Sequence, residues 1–247
     1  MLFSILDLDV STSEKIMYLT VMVMVLTFTF SIHEFMHAWV AEKMGDDTPR
    51  RQGRITLNPM AHIDPLGTVM LLLAGFGWAK PVQYNPNNLK RFSRPVCERY
   101  ISLAGVTANF VVGFIATLIV PLTRYWHIKT VGDTETMQMI ASLVEMFVYF
   151  LREYNFLFLA FNLLPIPPLD GYRFLSTIIP YKWRNKFDTL AQYSYYIFFA
   201  LIILGRFGNN HILSDLINLV AKPFRFPADQ LGKLIYEALD IPRRLRI

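Results

Sequence analysis

Cysteine is almost missing from this chain. Cys97 stands alone among 247 residues, so no intrachain disulfide can form and no thiolate cage can hold a metal. Charge is sparse as well: Asp, Glu, Lys and Arg make up 17% of the residues, against about 25% in an average soluble chain. There is no internal repeat and no low-complexity tract. The first residues lack a basic n-region and a small-residue cleavage site, so no cleaved signal peptide is expected. No basic face of a soluble domain is visible. The net charge of +5 falls instead in short clusters between apolar runs, which reads as membrane topology and predicts no nucleic-acid partner.

What is abundant is apolar side chain, at 53% of the residues. From Ile16 to Ala41 the chain is apolar except for hydroxyls and one short motif, a stretch of roughly 25 residues that is long enough to cross about 30 Å of hydrocarbon. Gly45 is placed to stop that helix. Tyr100–Leu122 and Met139–Leu164 read as a second and a third span, and Tyr193–Leu204 as the core of a fourth. Gly105, Asn109 and Gly113 recur every four residues on the second span, a small and polar stripe suited to close helix packing. Arg152 and Glu153 interrupt the third. At membrane depth such a pair is expected to bond internally, face the bundle, or mark where an interfacial helix ends.

Between the first two spans, Leu66–Trp78 is apolar but too short to cross and is punctuated by glycine, as in a re-entrant segment. Gly53–Leu57 reads as a short strand. Trp78–Tyr84 looks extended, with Pro81 tolerated only at a sheet edge, so a peptide could add there as a further strand. Residues 228–247 read as an amphipathic interfacial helix that ends in Arg243, Arg244 and Arg246 and suits anionic lipid.

The expected fold class is therefore an all-α polytopic membrane protein, a bundle of about four to six transmembrane helices with a small re-entrant and edge-strand element. An interfacial lead-in covers 1–15, the core 16–205, and an amphipathic C-terminal segment 206–247. Whether that last segment adds a crossing is left open, and no oligomeric state follows from the sequence. The loops 43–65, 80–99 and 173–186 are rich in Lys and Arg. This places them in the cytoplasm, with the N-terminus outside.

The motif inside the first span is His33-Glu34-Phe35-Met36-His37. At about 3.6 residues per turn His33 and His37 stack on one helix face, where both imidazoles reach one tetrahedral Zn²⁺. Glu34 lies roughly a quarter turn away, near enough to act on a water without binding the metal. Two histidines bonded to backbone or water are the plain alternative, but ionisable groups inside a membrane span are expensive and point to function. A catalytic zinc needs three protein ligands and one open position. Asp170, beside the proline break Pro165-Ile166-Pro167-Pro168 at the end of the third span, is the best third ligand. Asp64, Glu153 and His62 are weaker choices. By the charge rule, both motif-bearing helix ends are cytoplasmic, so they can meet.

Three separated stretches, His33–His37, Ala104-Gly105 through Asn109, and Asn162 through Asp170-Gly171, resemble the signatures of the site-2 protease family of intramembrane zinc metalloproteases. Arg54–Pro59, His62–Pro65 and Gly77–Val82 resemble its compact bacterial branch, and no stretch resembles the PDZ or CBS domains of larger members. The family often has proline after the glycine of the middle signature, where this chain has Val106. The resemblance implies one Zn²⁺ on His33, His37 and Asp170, with Glu34 as general base on a zinc-bound water. It also implies a peptide bond cut in or near the transmembrane segment of a single-pass protein. Asn109 and Asn162 would lie against the substrate chain, and the expected edge strand at Trp78, Val82, Gln83 and Tyr84 would hold it extended. Two other classes compete: a metal transporter using the same ligands as a transit site, and an inactive module that captures membrane helices. Neither explains why Glu34 follows His33.

Overall fold

The computed structural model describes residues 9–74, 77–193, 196, 200 and 212–246. Three long helices carry the architecture. The first, α1 (Thr12–Lys43), opens on a capping box: Glu14 N–H donates to Ser11 Oγ, and Ser11 N–H donates back to the Glu14 carboxylate, so two otherwise orphaned amides are satisfied together. Gly45, at φ +111°, lies just past its C-cap Met44. A single helical turn, α2 (Thr48–Arg51), follows, and then the ten-residue α3 (Pro65–Ala74), which is too short to span a bilayer, as expected. Pro95 sits in the first turn of α4 (Arg94–Lys129), where a missing N–H costs nothing. Thr134 caps α5 (Glu135–Asn162). The chain then breaks at Pro165, Pro167 and Pro168 and restarts as α6 (Asp170–Ser176), α7 (Tyr181–Gln192) and α8 (Ile212–Ala238).

α4 is the hub. It packs along α5 and α1, and α8 lies against both α4 and α5. Val106, Leu159, Ala160, Leu164, Ile217 and Ala221 form the apolar centre of one end, and Val120, Tyr236 and Ile241 that of the other. The polarity of the long helices is inverted relative to a soluble bundle. Thr29, His33, Glu34, His37, Asn109 and Asn155 are buried, while Met24, Phe28, Val111, Ile115, Ile119 and Leu122 are exposed. Helices with ionisable groups turned inward and large apolar side chains turned outward suit a lipid solvent.

α1 and α4 are long and apolar enough to cross a membrane. The third expected span is a 28-residue helix, α5, but Glu145, Arg152 and Glu153 on it set it apart from those two. Arg152 and Glu153 are paired: Arg152 also bonds Asp229 of α8 at 2.7 Å, and Arg225 of α8 reaches Glu153 at 2.9 Å. Of the alternatives that the sequence leaves open, internal pairing is the one met. The expected fourth span, apart from Tyr193, Tyr196 and Ala200, lies outside the described residues.

The expected strands do not form. Among the described residues there is no β-strand, and the one ladder contact is an isolated antiparallel bridge between Ile63 and Ala79. Gly53–Leu57 is irregular chain with a turn at Gly53 and a bend at Ile55 and Thr56, and 80–85 has no strand partner. Side chains have taken the backbone groups that a sheet would use. Arg54, 5% exposed, donates to the carbonyls of Ala61, Lys80 and Pro81, and Glu34 accepts from the Val82 amide.

Candidate metal centre

α1 presents His33 and His37 one turn apart on its buried face, both 6% exposed. Each ring is held from behind. His33 Nδ1–H donates to Asn109 Oδ1 at 2.6 Å, and His37 Nδ1–H donates to the Ile101 carbonyl at 2.7 Å. Both partners lie on α4. Asn109 is itself fixed, because its amide donates to Asn155 Oδ1 at 2.8 Å, and Asn155 donates to Thr29 Oγ1 at 3.1 Å. This amide chain ties α1, α4 and α5 together.

With each Nδ1 carrying its proton, the Nε2 atoms are lone pairs. They face each other at 3.0 Å, and both stand 3.1 Å from Asp170 Oδ2. The proline break delivers that carboxylate, and Asp170 is 5% exposed at the start of α6. Gly171 beside it is required, because a Cβ there would run into the Leu163 carbonyl. Three lone-pair atoms converging in a buried site repel one another unless a cation sits among them. A tetrahedral zinc at about 2.0–2.1 Å keeps its ligand atoms roughly 3.3–3.4 Å apart, a few tenths of an ångström wider than observed. The donor set therefore fits zinc with a slight outward relaxation, and His33, His37 and Asp170 form a group able to hold a metal. The backing of each imidazole by an oxygen acceptor is the usual second layer of such a site.

Gly105 on α4 closes the other side. A Cβ at this position would lie 2.5 Å from both His33 Cε1 and His37 Nε2, so only glycine lets α4 approach the histidines. Glu34, 9% exposed, follows His33, and its Oε2 accepts from Val82 N–H at 2.9 Å. Val82, Gln83 and Tyr84 also line a cavity of about 560 Å³ with Glu98, Ser102, Arg173 and Ser176.

Other sequence candidates lie elsewhere. Glu153 is bonded to Arg152 and Arg225, Asp64 caps the Gly67 amide, and His62 donates through Nε2 to the Thr56 carbonyl. Asn162 turns its amide back to the Phe158 carbonyl of its own helix. Asn109 backs His33. Three buried polar residues that brace the site or its neighbouring segment have no role in the sequence reading. Asn155 is a polar residue within an apolar span, and that is the signal that points to it. Arg54 and Asp46 sit in a charged loop, where nothing in the local pattern separates a buried charge from a solvated one.

Asp46 is fully buried. Its carboxylate accepts from Thr48 N–H and Oγ1–H, from Asn85 N–H at 2.6 Å and from the Asn88 amide at 2.9 Å. It thereby pins the far end of the extended segment to the end of α1. Burial pushes this carboxyl up, but the hydrogen bonds from Thr48, Asn88 and Asn85 outweigh it and hold the group below the ordinary carboxylate range. A depressed value means that the stabilisation is present above the unfolded pKa of about 4 and is lost as pH falls through the folded value. Asp46→Asn is expected to lower stability at pH 7 by about 2 kcal/mol and to flatten its decline below about pH 4. Melting in detergent across that range checks both.

A bundle of apolar-faced helices around a buried His-His-Asp donor set with an adjacent glutamate defines a membrane metalloprotease type of centre. The sequence profile of peptidase family M50 matches residues 21–205, and the chain belongs to that family. It is 36% identical over 176 residues to the putative zinc metalloprotease YwhC of Bacillus subtilis, a match covering 71% of this chain and 76% of that one. It is also 30% identical over 178 residues to the putative zinc metalloprotease Rip2 of Mycolicibacterium smegmatis, covering 70% of this chain and 62% of Rip2. The Rip2 of Mycobacterium tuberculosis H37Rv is 31% identical over 178 residues, 70% of this chain and 60% of that one. No solved structure matches. The protein is a zinc metalloprotease of the membrane, working in a lipid environment on protein substrates.

Proposed function

We propose that this chain is a multi-pass intramembrane protease that hydrolyses a peptide bond in or near the transmembrane segment of a single-pass protein, with Glu34 as general base. One observation carries the reading: Glu34 adjoins a lone-pair triad and is clamped by the extended segment beside it. His33, His37 and Asp170 would hold one zinc, which when bound supplies Lewis acidity toward the scissile carbonyl and the attacking water.

The chain's own groups do the rest. Val82 N–H fixes Glu34 Oε2, which leaves Oε1 to take the proton of the attacking water and return it to the leaving amine. Asn109 and Ile101 keep the His33 and His37 rings in the Nδ1–H tautomer, so neither Nε2 carries a competing proton. Burial keeps bulk water out of the centre. A substrate helix must unwind locally to expose its carbonyl. Trp78, Val82, Gln83 and Tyr84 would hold the unwound stretch extended, and Asn162, at the end of α5, would help to hold it. The orientation favoured by the Lys- and Arg-rich loops puts the N-terminus outside and the centre toward the cytoplasmic side.

The test is cleavage of a panel of single-pass helices by the purified protein in detergent. A chelator is expected to stop cleavage and added Zn²⁺ to restore it, with fragments identified by mass spectrometry. Cleavage that persists after the metal is stripped and its loss verified overturns the reading.

A further inference from the structure

The cavity of about 560 Å³ is walled by segments that also hold the candidate metal centre. Val82, in its wall, gives its amide to Glu34. Ser102 follows Ile101, whose carbonyl takes the bond from His37. Arg173 comes three residues after Asp170, about one turn along α6. Glu98 and Ser102 sit between Gly105 and the start of α4, so the cavity lies on the side of the donors nearer that helix end. The extended segment leads the same way, from Val82 past Tyr84 to Asn85, which Asp46 holds beyond the end of α1.

The charges around this cavity are unequally committed. Arg94 Nε donates to Glu98 Oε1 at 2.9 Å, so that anion is shared with a cation, although its second oxygen stays open. Arg99 is spent on the Thr177 hydroxyl and carbonyl, each at 3.0 Å. Arg173 is half-buried, and its guanidinium has no hydrogen bond or ion pair among the described residues. Its charge reaches the Tyr84 hydroxyl. Burial and Glu98 raise that phenol above its ordinary value, while Arg173 and Arg94 pull it down. The charged end of Arg173 therefore lies near Tyr84, in the wall of the same cavity, and the phenol stays protonated as a further donor. With Glu98 answered by Arg94, the guanidinium is the unanswered charge. A partly desolvated cation without a counter-ion is costly, and the planar fork of arginine matches a carboxylate.

We propose that this cavity is a subsite of the protease that takes an acidic side chain of the substrate, two to four positions from the scissile bond, on the Arg173 guanidinium. The inference rests on the protease reading above and adds a residue preference to it. The spacing follows from the walls. Val82 to Tyr84 is about 7 Å of extended chain, and Ser102 to Glu98 is about 6 Å of helix rise. A substrate stretch with its cut at Glu34 advances about 3.3 Å per residue along them. The cavity is roomy for one side chain, so it selects by charge more than by size. Flanks of membrane spans on the cytoplasmic face are usually rich in Lys and Arg, so an acidic residue there would set a substrate apart from most membrane helices.

The experiment uses the full chain and a cleaved single-pass substrate, with Glu, Gln and Lys placed in turn at each of the four positions on either side of the cut. Glu and Gln match in size and differ in charge. At one position Glu is expected to be favoured over Gln in kcat/KM by about tenfold, the scale of one charge-assisted hydrogen bond, and Lys to be cut most slowly. Arg173→Gln is expected to erase that preference and Arg173→Glu to turn it toward Lys, with one zinc per chain retained in both. Glu98→Gln removes the opposing anion and is expected to widen the ratio of Glu to Gln. Zinc-dependent cleavage that discriminates Glu from Gln at no position overturns the subsite and leaves the protease reading intact. So does a preference for Lys, which would make Glu98 the reader, or a Glu preference that persists in both Arg173 variants. If neither of those variants folds, a ratio that Glu98→Gln leaves unchanged overturns the subsite. Absence of any zinc-dependent cleavage overturns both readings.

Discussion

Glu34→Gln is expected to lose at least about 10²–10⁴ in cleavage rate while retaining one zinc per chain. Gln keeps the length of the side chain, and its amide oxygen can still accept from Val82 N–H, so the clamp on the extended segment survives. What disappears is the ability to take and return a proton. None of the three lone-pair atoms belongs to this residue, so the metal stays. Zinc content by elemental analysis and single-turnover cleavage of the same preparation separate the two effects. A metal transporter would keep much of its flux after this change, and a helix-capturing module would lose nothing. Zinc loss matching the rate loss would instead make Glu34 a ligand, contrary to the geometry.

The second large effect is expected at a residue with no side chain. Gly105→Ala would put a methyl 2.5 Å from an atom of each histidine, well inside van der Waals contact. The histidines cannot retreat cheaply, since Asn109 and Ile101 hold their Nδ1 atoms. Either α4 moves away, breaking both backing bonds, or the Nε2 atoms separate. Zinc affinity is expected to fall by about 10–100-fold or more, the range seen when the partners behind metal ligands are lost. Gly113→Ala is the control. It lies two turns further along α4, where the added carbon meets the Phe156 ring at 3.2 Å, so it perturbs the same helix interface away from the donors. Competitive zinc titration should show a large shift for the first variant and a small one for the second. Equal shifts would mean that zinc reports general packing of α4 and not the approach of Gly105.

Much of this is legible in the sequence. Helical spacing alone puts His33 and His37 on one face, and the membrane context makes their cost a sign of function. Asp170 stood out because a proline break carries it to the end of an apolar span. The stripe at Gly105, Asn109 and Gly113 announced close packing but not its object: the first faces the imidazoles, the second bonds one of them, and only the third meets an ordinary core ring. The segment 78–84 has the extended, proline-containing pattern of an edge strand, yet it makes only an isolated bridge. Strand pairing depends on free backbone groups, and here distant side chains, Arg54 and Glu34, occupy them. No local pattern records that competition. The same holds for Asp46, whose four hydrogen bonds come from residues on both sides of a gap of nearly forty positions.

The amide relay from Thr29 through Asn155 and Asn109 to His33 has a consequence for anyone who would transplant this centre. A graft of the five-residue motif onto another apolar helix would carry the two imidazoles but leave their orientation to chance. Such a graft would hold its ion loosely, because the rigidity resides in the neighbouring helices. The smallest portable unit is α1, α4 and α5 together with the proline break that carries Asp170, and its design would have to begin from the asparagines.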